Sequence, residues 1–225
     1  MVATRSDASV RERLLAAANE LFYEEGVHTV GIDRVLERAG VAKASLYGTF
    51  GSKEELVRAY LERRALARRE RISARIAQYD DPRDRILSIF DLLAETAAEA
   101  NFRGCAFISA CAEGPRGPTP SKQVAADQRA WVRGLFTQLA RDLGAPDPMK
   151  LARQLAVLYD GGLIGARMDS DPGVVRDARA IAECLLDTQA GAKASTPQGG
   201  APGGRAFDAT KARAKLARKR RPRPS

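Results

Sequence analysis

The sequence has few of the residues from which metal sites, disulfide networks and membrane spans are built. Among its 225 residues there are one histidine and three cysteines. A lone histidine without Cys or His neighbours makes no metal site, and three cysteines are too few for a disulfide scaffold. No apolar run approaches the ~20 residues of a membrane helix, and the N-terminus lacks the apolar core of a signal peptide. We therefore expect a cytoplasmic protein that binds no metal and has no membrane partner.

Motifs of catalysis are missing as well. The sequence contains no HExxH, no Walker glycine loop, no GxSxG and no plausible Cys–His pair. Two adjacent acidic pairs, at residues 24–25 and 80–81, fall at predicted helix ends, where structural roles are the simpler explanation. We predict that the protein is not an enzyme and needs no cofactor.

Positive charge is concentrated at the C-terminus. The last 35 residues contain ten Lys or Arg and one acid, Asp208, whereas the first 190 contain 27 basic and 27 acidic residues. The body is therefore neutral and is not a general binder of polyanions. Residues 191–225 are rich in Gly, Pro and Ala and cannot bury enough apolar surface to offset the entropy of ordering, so we predict a disordered basic tail.

The rest of the chain is predicted to be all-α. Apolar residues recur at helical spacing, and no stretch shows the sustained alternation of a strand. Glycine and proline mark most of the boundaries. The predicted helices cover residues 7–25, 31–38, 42–48, 53–78, a helix that begins at residues 81–82, then 121–143, 149–168 and 173–189.

Two short helices near the N-terminus predict a helix-turn-helix. Apolar residues repeat at helical spacing from residue 32 to residue 39, Gly40 breaks the helix, and a second short helix follows with Leu46 facing inward. In a helix-turn-helix the second helix enters the DNA major groove. Its small and polar residues suit close approach to DNA, Tyr47 can offer a hydroxyl to phosphate, and Ser52 caps a third helix that brings Lys53 to the backbone.

The same segment resembles the DNA-binding domain of the TetR/AcrR family of bacterial regulators. Two departures are Gly31, where the family usually has a capping threonine, and Gly48, where it often has histidine or a bulky polar residue. Glycine is a tolerable cap, so the predicted fold is unaffected. The resemblance runs without insertions through Leu14-Leu15-Ala16-Ala17-Ala18, Leu21-Phe22, Gly26, Ala39-Gly40-Val41, Leu46-Tyr47, Phe50, Ser52-Lys53-Glu54 and Leu56.

The resemblance implies a domain order and a function. Residues 1–54 would form the DNA-binding domain (family motif about 8–68), residues 55–190 an α-helical ligand-binding and dimerisation domain, and residues 191–225 the tail. The arginine-rich second half of the helix at 53–78 would be a solvated face and a lever between the two domains. The implied protein is a nucleoid-associated homodimeric repressor that binds a near-palindromic operator and responds to a small hydrophobic effector. The alternative is a DNA-organising protein with weak sequence preference dominated by its tail.

Four groups of residues are candidates for these roles. The predicted DNA contacts are Arg34, Lys43, Ala44, Ser45, Tyr47, Gly48 and Lys53. An effector pocket, with plain core as the alternative, would be lined by Phe90, Cys105, Phe107, Cys111, Trp131, Phe136 and Tyr159. A dimer face, with packing inside the monomer as the alternative, would contain Leu158, Gly161, Gly162, Gly165, Ile181 and Leu185. Non-specific DNA contacts, or only a solubilising role, would come from Arg218, Lys219, Arg220, Arg221 and Arg223 in the tail.

Overall fold

The fold is all-α, as predicted. A computed structural model describes residues 9–113 and 117–194, and these residues form helices without strands. The predicted tail contacts at residues 218–223 lie outside the described residues. The helices are α1 (Val10–Glu25), α2 (Ile32–Ala39), α3 (Lys43–Phe50), α4 (Lys53–Ile76), α5 (Pro82–Ala97), α6 (Ala106–Glu113), α7 (Pro120–Asp142), α8 (Pro148–Asp169) and α9 (Gly173–Ala194).

Most helix ends lie within two or three residues of the predicted ones because the capping residues are local signals. Ser9 and Ser52 accept backbone N–H groups from Glu12 and Glu55, at 3.2 and 3.1 Å. Helices α5, α7 and α8 each begin with proline, which lacks the N–H that would go unpaired there. Helix α9 is the exception: it continues to Ala194, past the predicted end at residue 189, so the predicted tail begins with helical residues.

Two clusters of buried side chains form the interior. The first combines α1, α2, α3 and the first half of α4 with residues of α6 and the start of α7, including Ala110 and Val124. The second combines α5, the rest of α7, α8 and α9. Helix α4 supplies both clusters, with Tyr60 and Leu61 in the first and Ile72 in the second. None of the described helices is long and apolar enough to cross a membrane.

Close packing of α8 on α9 accounts for two of the glycines assigned to a dimer face. A Cβ added to Gly162 would lie 3.5 Å from the Cβ of Ala178, and one added to Gly165 would lie 2.6 Å from a methyl group of Val174. Both neighbours belong to α9 of the same chain. A Cβ on Gly161 would meet no atom within 4 Å, so this glycine faces away from the monomer.

Gly165→Ala should destabilise the monomer because the new methyl group must displace the stiff side chain of Val174. Overpacking of this kind costs about 1–3 kcal/mol. Gly134→Ala in α7 is the matched control, since its Cβ would meet no atom within 4 Å and alanine favours the helix by about 0.8–1 kcal/mol over glycine. Urea unfolding measures both variants, and equal effects would contradict the close α8–α9 contact.

Candidate DNA interface and effector cavity

The turn between α2 and α3 is built on Gly40. Its φ of 64° lies in the left-handed region that favours glycine. The Gly40 N–H donates to the Glu37 carbonyl at 3.1 Å, and the Val41 N–H donates to the Leu36 carbonyl at 3.2 Å. These two bonds are the Schellman pattern that ends a helix. The chain therefore leaves α2 in a fixed direction and enters α3 two residues later.

Arg13 of α1 holds this turn in place. Its Nε and Nη2 donate to the Ala39 carbonyl at 3.0 and 2.8 Å, and Nη2 also donates to the Gly40 carbonyl. The guanidinium thus satisfies carbonyls that the end of α2 leaves without helical partners. A second contact between the same helices joins Arg38 to Glu20, at 3.0 and 2.9 Å. Both arginine contacts were missed from the sequence, where Arg13 and Glu20 belong to the polar face of α1.

Helix α3 buries one side chain fully and exposes most of the others. Leu46 is fully buried against α1, α2 and α4, while Ser45 is half-buried. Tyr47 is 48% exposed, which leaves its hydroxyl accessible to phosphate. The exposed residues of α3 are Lys43, Ala44, Tyr47, Gly48 and Thr49.

The basic residues around α3 differ in burial and in ion pairing. Arg34 is exposed and forms a two-pronged ion pair with Glu25, one contact at 2.9 Å, which raises the pKa of Arg34. Lys43 lies 3.4 Å from a carboxylate oxygen of Asp33. Lys53 is half-buried at the start of α4, forms no ion pair with any residue that the structure describes, and has its pKa lowered by burial. Of these three basic residues, Lys53 alone has no ion-pair partner among the residues that the structure describes.

A short helix with a small, polar exposed face, held by a glycine turn on two other helices, defines a helix-turn-helix DNA-binding protein. Residues 14–60 match the family model described as "Bacterial regulatory proteins, tetR family". The chain belongs to the TetR family and is a DNA-binding transcriptional regulator.

Three relatives illustrate the similarity. The chain is 31% identical over 169 residues to the HTH-type transcriptional activator FasR of Mycolicibacterium smegmatis, which covers 71% of this chain and 69% of FasR. It is 31% identical over 110 residues to the repressor NemR of Escherichia coli, covering 48% of this chain and 55% of NemR. The crystal structure of a TetR-family regulator from Streptomyces coelicolor is 30% identical with a TM-score of 0.76, covering 80% of this chain and 95% of that one.

A cavity of about 610 Å³ lies where α1 and α4 meet the rest of the chain. Its size is within the range of small-molecule sites, about 300–1,000 Å³. Both polar and apolar side chains line it. From α1 and α4 come mainly polar residues, and from α5, α6 and α8 mainly apolar ones, among them Asn19, Tyr23, Arg64, Arg68, Ile89, Leu92, Phe107 and Tyr159.

Of the residues predicted to line an effector pocket, Phe107 and Tyr159 lie on this cavity. Phe90 and Phe136 are fully buried, with stacked rings whose centroids are 6.1 Å apart, and the Phe136 ring meets Tyr159 edge-on at 6.2 Å. Phe90 and Phe136 are therefore core residues, and Tyr159 lies at the edge of this aromatic group.

The other predicted pocket residues are dispersed. Trp131 is half-buried under the Arg69 guanidinium, whose carbon lies 5.5 Å from the ring centroid. Cys105 is half-buried and packs against both clusters of buried side chains. Cys111 is exposed, and partial burial of its sulfur raises the pKa of its thiol. None of these three lines the cavity.

Two polar contacts join the DNA-binding helices to the rest of the chain. The Tyr23 hydroxyl of α1 donates to the Gly104 carbonyl at 3.2 Å and accepts the Arg103 N–H at 3.0 Å. Glu54, next to Lys53, accepts the Ser121 hydroxyl of α7 at 2.8 Å. These contacts fix the segment before α6 and the start of α7 against α1 and the start of α4.

Tyr47→Phe and Lys53→Gln should weaken binding to operator and random DNA alike, because both side chains would contact phosphate. Loss of the Lys53 charge should also reduce the slope of log affinity against log salt concentration by about 0.9 for each phosphate that Lys53 neutralises. Arg141→Gln, an exposed arginine at the end of α7, is the charge-matched control. Fluorescence anisotropy over a salt series measures both quantities, and a change confined to operator DNA would contradict phosphate contact.

Arg13→Met should weaken operator binding without changing the salt slope, because Arg13 positions the turn and its nitrogens are occupied by carbonyls. Loss of hydrogen bonds from a charged donor costs about 1.5–3 kcal/mol, so unfolding should be affected too. Arg141→Met serves as the control for removal of an exposed arginine. If Arg13→Met lowered the salt slope as Lys53→Gln does, Arg13 would be a phosphate contact instead.

Proposed function

We propose that the protein is a homodimeric transcriptional repressor that binds a near-palindromic operator and releases it on binding a small effector. The observation that carries this proposal is the exposed face of α3, held at a fixed angle by the Gly40 turn and Arg13. Lys43, Ala44, Tyr47 and Gly48 are exposed on this helix, where they can meet DNA. The proposed site of action is nucleoid DNA in the cytoplasm.

An apolar stripe on α8 supports the homodimer. Val157, Ile164 and Met168 are 64%, 42% and 78% exposed, and with Gly161 they follow the i, i+4, i+7, i+11 spacing of one helix face. Ile181 on α9 is 52% exposed. Large exposed apolar side chains grouped in this way are typical of an interaction surface.

A second copy of the chain is the occupant that we propose for this stripe. Two copies related by a two-fold axis would each present the same stripe to the other. The bare surface at Gly161 would let the partner helix approach closely. The half-buried Leu158 and Leu185 would lie at the border of the interface.

The two-fold axis would place two copies of α3 in successive major grooves, about 34 Å apart along the DNA. An occupied operator would block transcription. An effector would release the protein only if it binds the DNA-free arrangement of the helices more tightly than the DNA-bound one. The cavity is lined by α1 and α4 on one side and by α5, α6 and α8 on the other, so a ligand there could favour one arrangement of these helices.

The direction of regulation needs a direct test, because relatives include one named as an activator and one named as a repressor. Sites occupied in the cell would be mapped by immunoprecipitation and placed before a reporter gene. Reporter output should rise when the gene for this protein is deleted and fall when it is restored. Output that falls on deletion would identify an activator.

The basic residues at 218–223 are proposed to add affinity for any DNA without choosing the site.

Ile164→Glu should convert the dimer to a monomer, because it places a charge in the centre of the apolar stripe. Operator affinity should fall at least tenfold, since two linked half-sites are then read separately. Leu66→Glu is the matched control: Leu66 is 59% exposed on α4, outside the stripe. Sedimentation velocity and circular dichroism would measure assembly and folding. An Ile164→Glu protein that stays dimeric would show that the copies meet elsewhere.

A further inference from the structure

Arg68 of α4 is a half-buried cation without a counterion. Its Nη1 donates to the Tyr159 hydroxyl at 2.9 Å, and no carboxylate among the described residues pairs with it. Arg64, one turn earlier, donates to the Asn19 amide oxygen at 3.0 Å and lies 3.7 Å above the Tyr23 ring, again with no acid. Burial of an unpaired charge is unfavourable, which makes two such arginines on one cavity wall unusual.

Other arginines of α4 show the ordinary arrangement. Arg63 pairs with Glu12 at 3.3 Å, and Arg71 pairs with Glu99 at 3.2 Å. Three half-buried arginines of α4 therefore lack an acidic partner among the described residues, and two of them, Arg64 and Arg68, line the cavity, whereas Arg69 does not. Because Arg64 and Arg68 are four residues apart, their side chains project from the same face.

The acids that line the cavity do not neutralise this pair. Glu20 is engaged by Arg38 at 2.7 Å, and Glu99 by Arg71. Glu24 is exposed to water, where salt and solvent screen its charge. The half-buried wall of the cavity therefore keeps an excess of positive charge.

The hydrogen bonds also leave donors free. Tyr159 accepts the bond from Arg68, so its own O–H remains to be donated. Burial raises the pKa of the Tyr159 phenol despite the nearby Arg68, which keeps the hydroxyl protonated at neutral pH. A guanidinium fork beside a phenol O–H is a suitable set of donors for a carboxylate or a phosphate.

The opposite wall is apolar. Helices α5 and α6 contribute Ile89, Leu92, Leu93 and Phe107, and Ile72 of α4 lies beside them. A ligand that fits both walls has an anionic head and a hydrocarbon or aromatic body. This agrees with the hydrophobic effector expected from the sequence and adds the charge that the sequence did not reveal.

We infer that the cavity binds a small amphiphilic oxyanion, whose carboxylate or phosphate head is held by Arg64, Arg68 and Tyr159. Its role as the effector rests on the proposed function. Asn19 and Tyr23 belong to α1, so an anion that draws Arg64 toward itself weakens the contact between Arg64 and α1. Ligand binding would thereby change how the DNA-binding helices are held.

The test is calorimetric titration of the full chain with straight-chain carboxylates from hexanoate to tetradecanoate, the matching alkyl phosphates and the matching alcohols. The best anion should bind at least tenfold more tightly than its alcohol. Arg68→Met should weaken that anion at least tenfold, whereas Arg69→Met should stay within twofold. Arg69 is the neighbouring half-buried arginine, bonded to Gln128 at 2.8 Å and outside the cavity lining.

The proposed site would be overturned if alcohols bound as tightly as anions or if no anion bound. It would also be overturned if Arg68→Met bound the best anion as tightly as the unsubstituted protein does. Comparison of carboxylates with phosphates identifies the preferred head. If Arg68→Met fails to fold, Arg68→Lys and Arg64→Met provide the same comparison. Operator affinity is measured separately: an anion that binds but leaves it unchanged refutes the effector role alone. Operator release by an alcohol without anion binding refutes the site and leaves the regulated function standing.

Discussion

The bonds from Arg13 to the carbonyls of Ala39 and Gly40 are the contact on which the DNA-binding surface depends. Gly40 lets the chain turn, but a left-handed residue alone does not fix where the next helix lies. Arg13 ties the turn to α1, the longest helix of the DNA-binding part, and Leu46 anchors α3 from the other side. With the turn tied to α1 and Leu46 buried, the exposed face of α3 is positioned before DNA binds, which limits the entropy lost on binding.

Helix α4 extends this constraint to the rest of the protein. Its first half completes the interior of the DNA-binding part, and its second half faces both the cavity and the second cluster of buried side chains. Arg63 and Arg71 are exposed, as expected of a solvated face, but Arg64 and Arg69 are half-buried: Arg64 stacks on Tyr23, and Arg69 bonds Gln128. Helix α4 therefore contacts the DNA-binding helices, the cavity and the second cluster of buried side chains.

The fold was predictable because the residues that end helices and form turns act on near neighbours in the sequence. The site was not predictable, because its residues bond partners far away in the sequence. Gly40, Leu46 and the capping serines act on residues within a few positions, so helices and turn follow from the sequence. Arg13 bonds a residue 26 positions away and Arg68 one 91 positions away, which no local pattern reveals. The aromatics Phe90 and Phe136 could not be assigned to pocket or core because both need the same apolar residues.

The central claim is that α3 reads bases as one of a symmetric pair. Selection of bound DNA from a random-sequence pool by the full-length protein tests this most directly. The account predicts enrichment of an inverted repeat whose half-sites are about one helical turn, or a small multiple of it, apart. The same repeat should be selected by a chain that ends at residue 194, because the basic tail is not expected to choose the site. A single half-site, a direct repeat or no enriched sequence would contradict the claim.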